Sequence, residues 1–262
     1  MLQVQLQPGI PGGRWACLRA LCGHDEAMAG GSEPDVITFL DRLLMRVPGT
    51  RVEPGRAAEL PLCDCDRLCA SIYLDCFGEQ IEGMATCGAC AEAFELNLSL
   101  LDLMKEQAEG PLPEASGPDE RGVFTMADGR HFRLPTAGDQ REVRGLDPEE
   151  AVTALFGRCI EGAPVEDLQS VETAMDQAGA RIDLDIEAGC PHCGALERVR
   201  FDIQSYLFGA LAFERQFLNH EVHCLAMAYG WTHEEILRLN RQDRRAFVRL
   251  IRSGHGERRP GR

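Results

Sequence analysis

Two Cys-x-x-Cys motifs, Cys87–Cys90 and Cys190–Cys193, constrain this 262-residue chain more than any other feature. Segments in which apolar and polar residues alternate lie on both sides of each motif, and this pattern predicts flanking β-strands. A tight turn with two thiolates is half of a tetrahedral zinc site. We therefore expect Cys87, Cys90, Cys190 and Cys193 to hold one structural Zn²⁺ ion between them.

The second motif is the more typical zinc knuckle. In residues 190–194, Cys-Pro-His-Cys-Gly, a proline and a glycine favour the turn, whereas the first motif has neither at the equivalent positions. Two alternatives stay open: the thiols remain reduced without a metal, or the motifs are thioredoxin-like redox sites. The redox alternative needs a helix directly after the motif, but Val199, Phe201 and Ile203 alternate as in a strand.

The pattern around the two motifs repeats, and this predicts an α+β fold with two similar halves. Each half begins with a β-hairpin and continues through two helices to a knuckle hairpin. The predicted first hairpins join residues 2–6 to 15–21 and 122–126 to 131–134. Apolar residues spaced by three and four predict the helices. The predicted helices are 35–46 and 64–77 in the first half, and 148–160 and 165–178 in the second.

A helical extension follows the second knuckle. Apolar residues at helical spacing predict one long helix ending near Tyr229, with Gly230 as its C-cap. Thr232–Glu235 forms a capping box, flanked by Trp231 and Ile236 as a hydrophobic staple, and Asn240 is placed to cap a last helix. The predicted divisions are a first half 1–108, a proline-rich linker 109–121, a second half 122–204, a helical module 205–252 and a disordered tail 253–262.

Composition narrows the functional classes. The net charge of −15 disfavours nonspecific binding to nucleic acid or membranes, and no apolar run reaches the roughly 20 residues of a membrane span. Without a signal-peptide pattern, we expect a cytoplasmic protein whose twelve cysteines are reduced. The sequence has no nucleophile elbow, phosphate-binding loop or dinucleotide glycine pattern, so we expect no enzyme.

The remaining candidate residues have simpler interpretations. His220 and His223 are three residues apart, whereas a metalloprotease helix needs a spacing of four, so packing or surface exposure is favoured. Four cysteines on or near the second predicted helix are expected in the core, with a second metal site as the alternative. These are Cys63, Cys65, Cys69 and Cys76. The arginine-rich C-terminal helices fit either a DNA-reading helix–turn–helix or a module that closes the core.

Several segments together resemble baseplate hub assembly chaperones, which serve T-even-type phage tails and related extracellular contractile injection systems. The most specific likeness is in the C-terminal module, and shorter pieces lie near the N-terminus and at both knuckles. The segments outside the knuckles are 19–21, 23–26, 53–55, 221–226, 229–231, 235–237 and 244–245.

This resemblance implies a non-enzymatic factor that helps the central hub of the baseplate to form, with hub or spike proteins as its partners. We expect the partner to contact the C-terminal helices through Trp231, Arg244, Arg245 and Arg249, because arginine and tryptophan are favoured at interfaces. The alternative is a zinc-ribbon regulator that binds DNA or protein through the same basic helices.

Overall fold

A computed structural model describes residues 1–29, 35–108, 115–161 and 168–256. Helices and antiparallel strands both build it, so the fold is α+β, as predicted.

The first half begins and ends with a two-stranded hairpin, with helices between and after them. Its elements are β1 (Leu2–Ile10), β2 (Gly13–Leu18), α1 (Gly23–Ala29), α2 (Val36–Leu43), a 3-10 turn (Ala57–Glu59), α3 (Leu62–Phe77), β3 (Gln80–Thr86), β4 (Ala93–Ser99) and α4 (Leu100–Ala108). The two predicted helices correspond to α2 and α3. The sequence pattern did not predict α1 and α4.

The second half follows a similar order and begins with a small antiparallel sheet. Its elements are β5 (Ala115–Ser116), β6 (Val123–Met126), β7 (His131–Arg133), α5 (Ala137–Val143), α6 (Pro148–Cys159), β8 (Ile160–Glu161), α7 (Leu168–Ala178), β9 (Asp183–Gly189) and β10 (Leu196–Asp202). The predicted helix 148–160 is α6. The predicted helix 165–178 corresponds to α7 from Leu168 onward, and its earlier residues lie outside the described part.

Three helices complete the described chain: α8 (Ile203–Tyr229), α9 (His233–Arg238) and α10 (Arg241–Gly256). The predicted caps are confirmed. Gly230 ends α8 with φ of 70°, and Thr232 and Glu235 form a reciprocal capping box before α9. Asn240 accepts the backbone N–H of Asp243 at 2.9 Å. The predicted disordered tail begins at residue 253, but α10 continues to Gly256, and residues 257–262 lie outside the described part.

Two structural details differ from the predicted strands and linker. Strand β1 continues through the predicted turn to Ile10, because the buried carboxylate of Asp64 accepts the backbone N–H groups of Gln7 and Gly9 at 2.5 and 2.7 Å. The predicted linker 109–121 is wrong at its described end. Ala115 is buried in the core of the second half, and β5 pairs with β6. Residues 109–114 lie outside the described part.

Helix α3 runs through the main core. Its Cys65 and Cys69 are buried among apolar side chains, and burial raises the pKa of both thiols. This confirms the core interpretation of these cysteines, since protonated thiols in apolar surroundings behave as small hydrophobic groups. Asp66, also buried, accepts hydrogen bonds from Arg181, from the backbone N–H of Ile182 and from Gln204. It therefore joins α3 to the start of β9 and of α8.

The same ion-pair cluster occurs after the first hairpin of each half. An aspartate in the first helix binds an arginine at or just after the end of the hairpin and another from the next helix. The two clusters are Arg19, Asp25 and Arg42, and Arg133, Asp139 and Arg158. The first arginine is bidentate in both, with N–O distances of 2.6 and 2.9 Å and of 2.5 and 2.9 Å. This correspondence supports the two-half organisation, which stays a prediction.

Within the described residues, no helix combines the length and apolar character that a membrane crossing requires.

Candidate metal centre and C-terminal helices

Each cysteine pair lies in the turn of a two-stranded hairpin. In the first turn, between β3 and β4, the N–H of Cys87 donates to Glu92 and the N–H of Ala91 donates back to Cys87, at 2.9 and 2.8 Å. The turn between β9 and β10 repeats this pattern, with Cys190, Ala195 and Gly194 in the equivalent places and distances of 2.8 and 2.9 Å. The first motif therefore folds as a knuckle although its sequence is less typical.

The missing glycine of the first knuckle has a conformational consequence. Gly194 has φ of 76°, and Ala91 adopts the same left-handed conformation with φ of 61°. A left-handed backbone costs an L-residue with a Cβ atom about 1–2 kcal/mol. The four-cysteine arrangement thus holds Ala91 in a conformation that alanine alone would avoid.

The four sulfur atoms form a compact group across the two hairpins. The Sγ atoms of Cys87 and Cys193 lie 3.6 Å apart, those of Cys90 and Cys190 lie 3.8 Å apart, and all four lie within 4.8 Å of one another. A tetrahedral site with Zn–S bonds of about 2.3 Å needs sulfur–sulfur distances of about 3.8 Å. The structure thus brings together the four predicted ligands, and they could hold a metal ion.

The surroundings of the second hairpin favour the thiolate of Cys190, and a carboxylate of the same hairpin holds the first hairpin in place. Burial raises the pKa of Cys190, but hydrogen bonds from the N–H groups of Cys193 and His192 to its sulfur have the opposite effect. The net result is a pKa lowered to about 7. Glu197 of β10 accepts the N–H of Gly88 at 2.9 Å and lies 3.2 Å from the sulfur of Cys87. It therefore ties the second hairpin to the turn of the first.

The thioredoxin-like alternative is wrong. Strand β4 begins at Ala93 and strand β10 at Leu196, so a strand follows each motif where a redox-active thioredoxin site has a helix. The prediction that a strand would follow the second knuckle is confirmed.

The C-terminal helices pack against the first half through a buried ionic network. Glu26 of α1 and Glu221 of α8 bind Arg244 of α10, which is 0% exposed. Arg244 donates from Nη2 to both Glu26 oxygens at 2.9 and 3.0 Å, and from Nε to Glu221 at 2.9 Å. Its Nη1 donates to the carbonyl of Leu239 at 3.1 Å.

The predicted role of Arg244 as a partner contact is therefore wrong. Its guanidinium lies inside the protein and binds two carboxylates of the same chain. Burial lowers its pKa, but the charges and hydrogen bonds of Glu26 and Glu221 outweigh that effect and raise it. Arg244 instead fits the other prediction for the C-terminal helices, a module that closes the core.

Neighbouring arginines extend the network toward solvent. Arg241 binds Glu214 at 2.9 Å, and its guanidinium carbon lies 4.6 Å from the centre of the Phe77 ring. Arg245, 41% exposed, binds Glu214 at 2.5 Å and Glu221 at 3.3 Å. These ion pairs neutralise much of the basic character that the sequence suggested for DNA reading. Arg249, the third predicted contact arginine, is exposed.

Trp231 is half-buried in an aromatic cluster. Its ring stacks on Tyr229 with centroids 4.9 Å apart and meets Phe247 edge-on at 5.2 Å. It thus packs between the end of α8 and helix α10, as its staple position predicted. Its partner-binding role and those of Arg245 and Arg249 stay predictions.

Sequence reasoning missed the acidic half of the network. Glu214 and Glu221 are seven residues apart on α8, and hence on one helical face. Arg241, Arg244 and Arg245 likewise share a face of α10. This complementary spacing could have indicated that the two helices pair. Nothing in the local pattern indicated Glu26, whose partner is contributed by the opposite end of the chain.

Comparison of the chain with protein-family models, with curated proteins and with solved structures finds no match.

Proposed function

We propose that this protein is a non-enzymatic assembly factor for the baseplate hub of a contractile tail or contractile injection system. It acts by binding a hub or spike protein. The sequence resemblance motivates this proposal, and one structural observation supports it: segments that carry the resemblance, although far apart in sequence, meet in the fold.

The meeting point is the contact between α1 and the C-terminal helices. Residues 23–26 pack against 235–237, where a Cβ atom added to Gly23 would lie 2.7 Å from Leu237 Cδ2. Glu26 and Glu221 share the guanidinium of Arg244. The segments that carry the resemblance thus contact one another through ionic and apolar side chains, and these contacts set the position of α10.

The metal in this proposal is one structural Zn²⁺ ion held by Cys87, Cys90, Cys190 and Cys193. A ligand set of four cysteines is typical of structural zinc and fills all four tetrahedral positions. The ion would fasten the two knuckle hairpins together and thereby fix the two halves of the binding protein. Such a closed site supports a structural role.

Deletion of the gene in a strain that builds the contractile particle tests the function. We expect sheath and tube subunits to stay soluble while few complete particles form, as counted by electron microscopy. The full chain supplied from a plasmid should restore particle numbers. Tagged full-length protein should capture a hub or spike protein from the same cells, but not sheath or tube subunits. Normal particle numbers in the deletion strain would reject the proposal.

The alternative, a zinc-ribbon regulator, has a different signature. Retardation of duplex DNA by the full-length protein, with affinity that falls steeply as salt rises, would support it. The exposed Arg249 favours this alternative as much as it favours a protein partner, so the DNA measurement belongs beside the capture experiment.

A further inference from the structure

Helices α8 and α10 leave an open groove of about 310 Å³ between them. Three residues of α8 and four of α10 line it. They are Phe217, His220 and Glu221, and Arg245, Val248, Arg249 and Arg252. The groove lies on the solvent side of the ionic network, since Glu221 and Arg245 belong to both.

Phe217 of the groove forms an exposed aromatic pair with Phe213, which lies outside the groove lining. Phe217 is 45% exposed, and Phe213, one turn earlier on α8, is 66% exposed. Their ring centroids are 6.0 Å apart in an edge-on arrangement. Val248, on the α10 side of the groove, is buried and belongs to an apolar cluster with Leu225 and Ile236. Large aromatic side chains that stay in water beside a groove favour burial against a partner.

The charge of the groove is opposite to that of the protein. Glu221 and Arg245 neutralise each other and their network partners. Arg249 and Arg252 form no ion pair with any residue that the structure describes, and Arg252 Nη2 lies 3.2 Å from His220 Nε2. Two exposed guanidinium groups of α10 thus line the groove together with the apolar side chains of Phe217 and Val248, on a chain whose net charge is −15.

We infer that this groove binds an acidic amphipathic helix of a partner protein. Its apolar face would cover Phe213 and Phe217, and its carboxylates would pair with Arg249 and Arg252, whose planar groups suit bidentate binding. Nucleic acid fits less well, because the carboxylate of Glu221 also lines the groove and the protein as a whole carries a net charge of −15. The inference names the partner chemistry of the proposed function, and so rests on binding to another protein.

Fluorescence anisotropy with a synthetic probe tests the inference. The probe is a labelled helical peptide of about 16 residues, with leucine and phenylalanine at helical spacing on one face and glutamate on the other. We expect saturable binding to the full-length protein that weakens as salt rises. The double variant Arg249→Glu/Arg252→Glu and the variant Phe217→Ser should each weaken it by about tenfold or more.

Matched controls separate the groove from the general surface. Met227→Ser changes another exposed apolar residue of α8, and Arg238→Glu changes an exposed arginine of α9, so both should bind the probe normally. Circular dichroism and urea unfolding check that every variant is folded. Absence of probe binding, or equal binding by the groove variants, would overturn the inference. Tighter binding of duplex DNA, or self-association lost in Phe217→Ser, would also overturn it.

The outcome of the peptide-binding experiment can be distinguished from the outcome of the gene deletion that tests the proposed function. A deletion strain with few particles together with no binding of the probe would reject the groove alone. Probe binding lost in the groove variants together with normal particle assembly would reject the hub function and leave the groove as a protein-binding site.

Discussion

Arg244 Nη2 lies 2.9 Å from Oε1 of Glu26, although the two residues are 218 positions apart in the chain. Both side chains are buried, and the same guanidinium also binds Glu221. The contact ties α10 to α1 of the first half, so α10 is not a separate basic arm.

Replacement of Arg244 by methionine should lower the free energy of unfolding. The change leaves Glu26 without its closest cation in a buried site, and breaking such a pair costs about 3–5 kcal/mol. Urea unfolding measures the loss. Arg249→Met, which removes an exposed arginine from the same helix, should change the free energy of unfolding by less than about 0.5 kcal/mol. Equal midpoints for the two variants would contradict the role of the network.

The cysteine cluster predicts one zinc ion per chain. Native mass spectrometry of the purified protein should show this stoichiometry, and a chelator should remove the ion and lower the melting temperature, because metal binding is linked to folding. Cys90→Ser should lose the ion. Cys224→Ser, a change to a half-buried cysteine on α8, should keep it. A metal-free wild-type protein with an unchanged melting temperature after chelation would refute the site.

The left-handed residues of the two knuckles should respond in opposite ways to substitution. Ala91→Gly relieves the backbone cost at φ of 61°, and we expect a gain of up to about 1 kcal/mol after the larger chain entropy of unfolded glycine is subtracted. Gly194→Ala should cost about 1–2 kcal/mol. Thermal unfolding of both variants in saturating zinc is the measurement, and loss of stability in both would contradict this explanation.

Asp139 should make the protein sensitive to acid. Burial raises the pKa of its carboxyl, but hydrogen bonds from Arg133, Thr136 and Arg158 lower it more, so the folded value lies below the ordinary 3.8. Below about pH 4 the unfolded chain therefore binds more protons, and acid favours unfolding. The stability that Asp139 contributes is present above that pH and is lost as pH falls toward the folded pKa.

Asp139→Asn should be less stable than the wild type at pH 7 and should lose less further stability between pH 5 and 3. Urea unfolding across this range compares the two slopes, with the exposed Asp75→Asn as the control. Parallel curves for wild type and Asp139→Asn would show that the carboxyl titrates alike in the folded and unfolded chains.

The features that sequence predicted best have local causes. Caps at Thr232, Gly230 and Asn240 depend on one or two hydrogen bonds within a turn, and all three lie where the pattern placed them. The knuckle pairs are also local. The pairing of the two knuckles was predictable because half a tetrahedral site needs another half, and the second Cys-x-x-Cys motif offers one.

Long-range burial was not predictable from local pattern. Helix α1 has seven residues and buries Asp25 and Glu26, so it lacks the apolar spacing that marks a helix. Arg244 was expected on the surface, because arginine is seldom fully buried unless it is paired. The carboxylates that allow its burial belong to Glu26 of α1 and Glu221 of α8. The periodicity of α10 gives no information about residues of those helices.

The position of Glu26 has a consequence for how the protein is made. A ribosome completes α1 long before it reaches Arg244, which lies 218 positions later, so the nascent chain presents this carboxylate without its guanidinium partner over that interval. The packing around Glu26 therefore cannot be completed until α10 has left the ribosome.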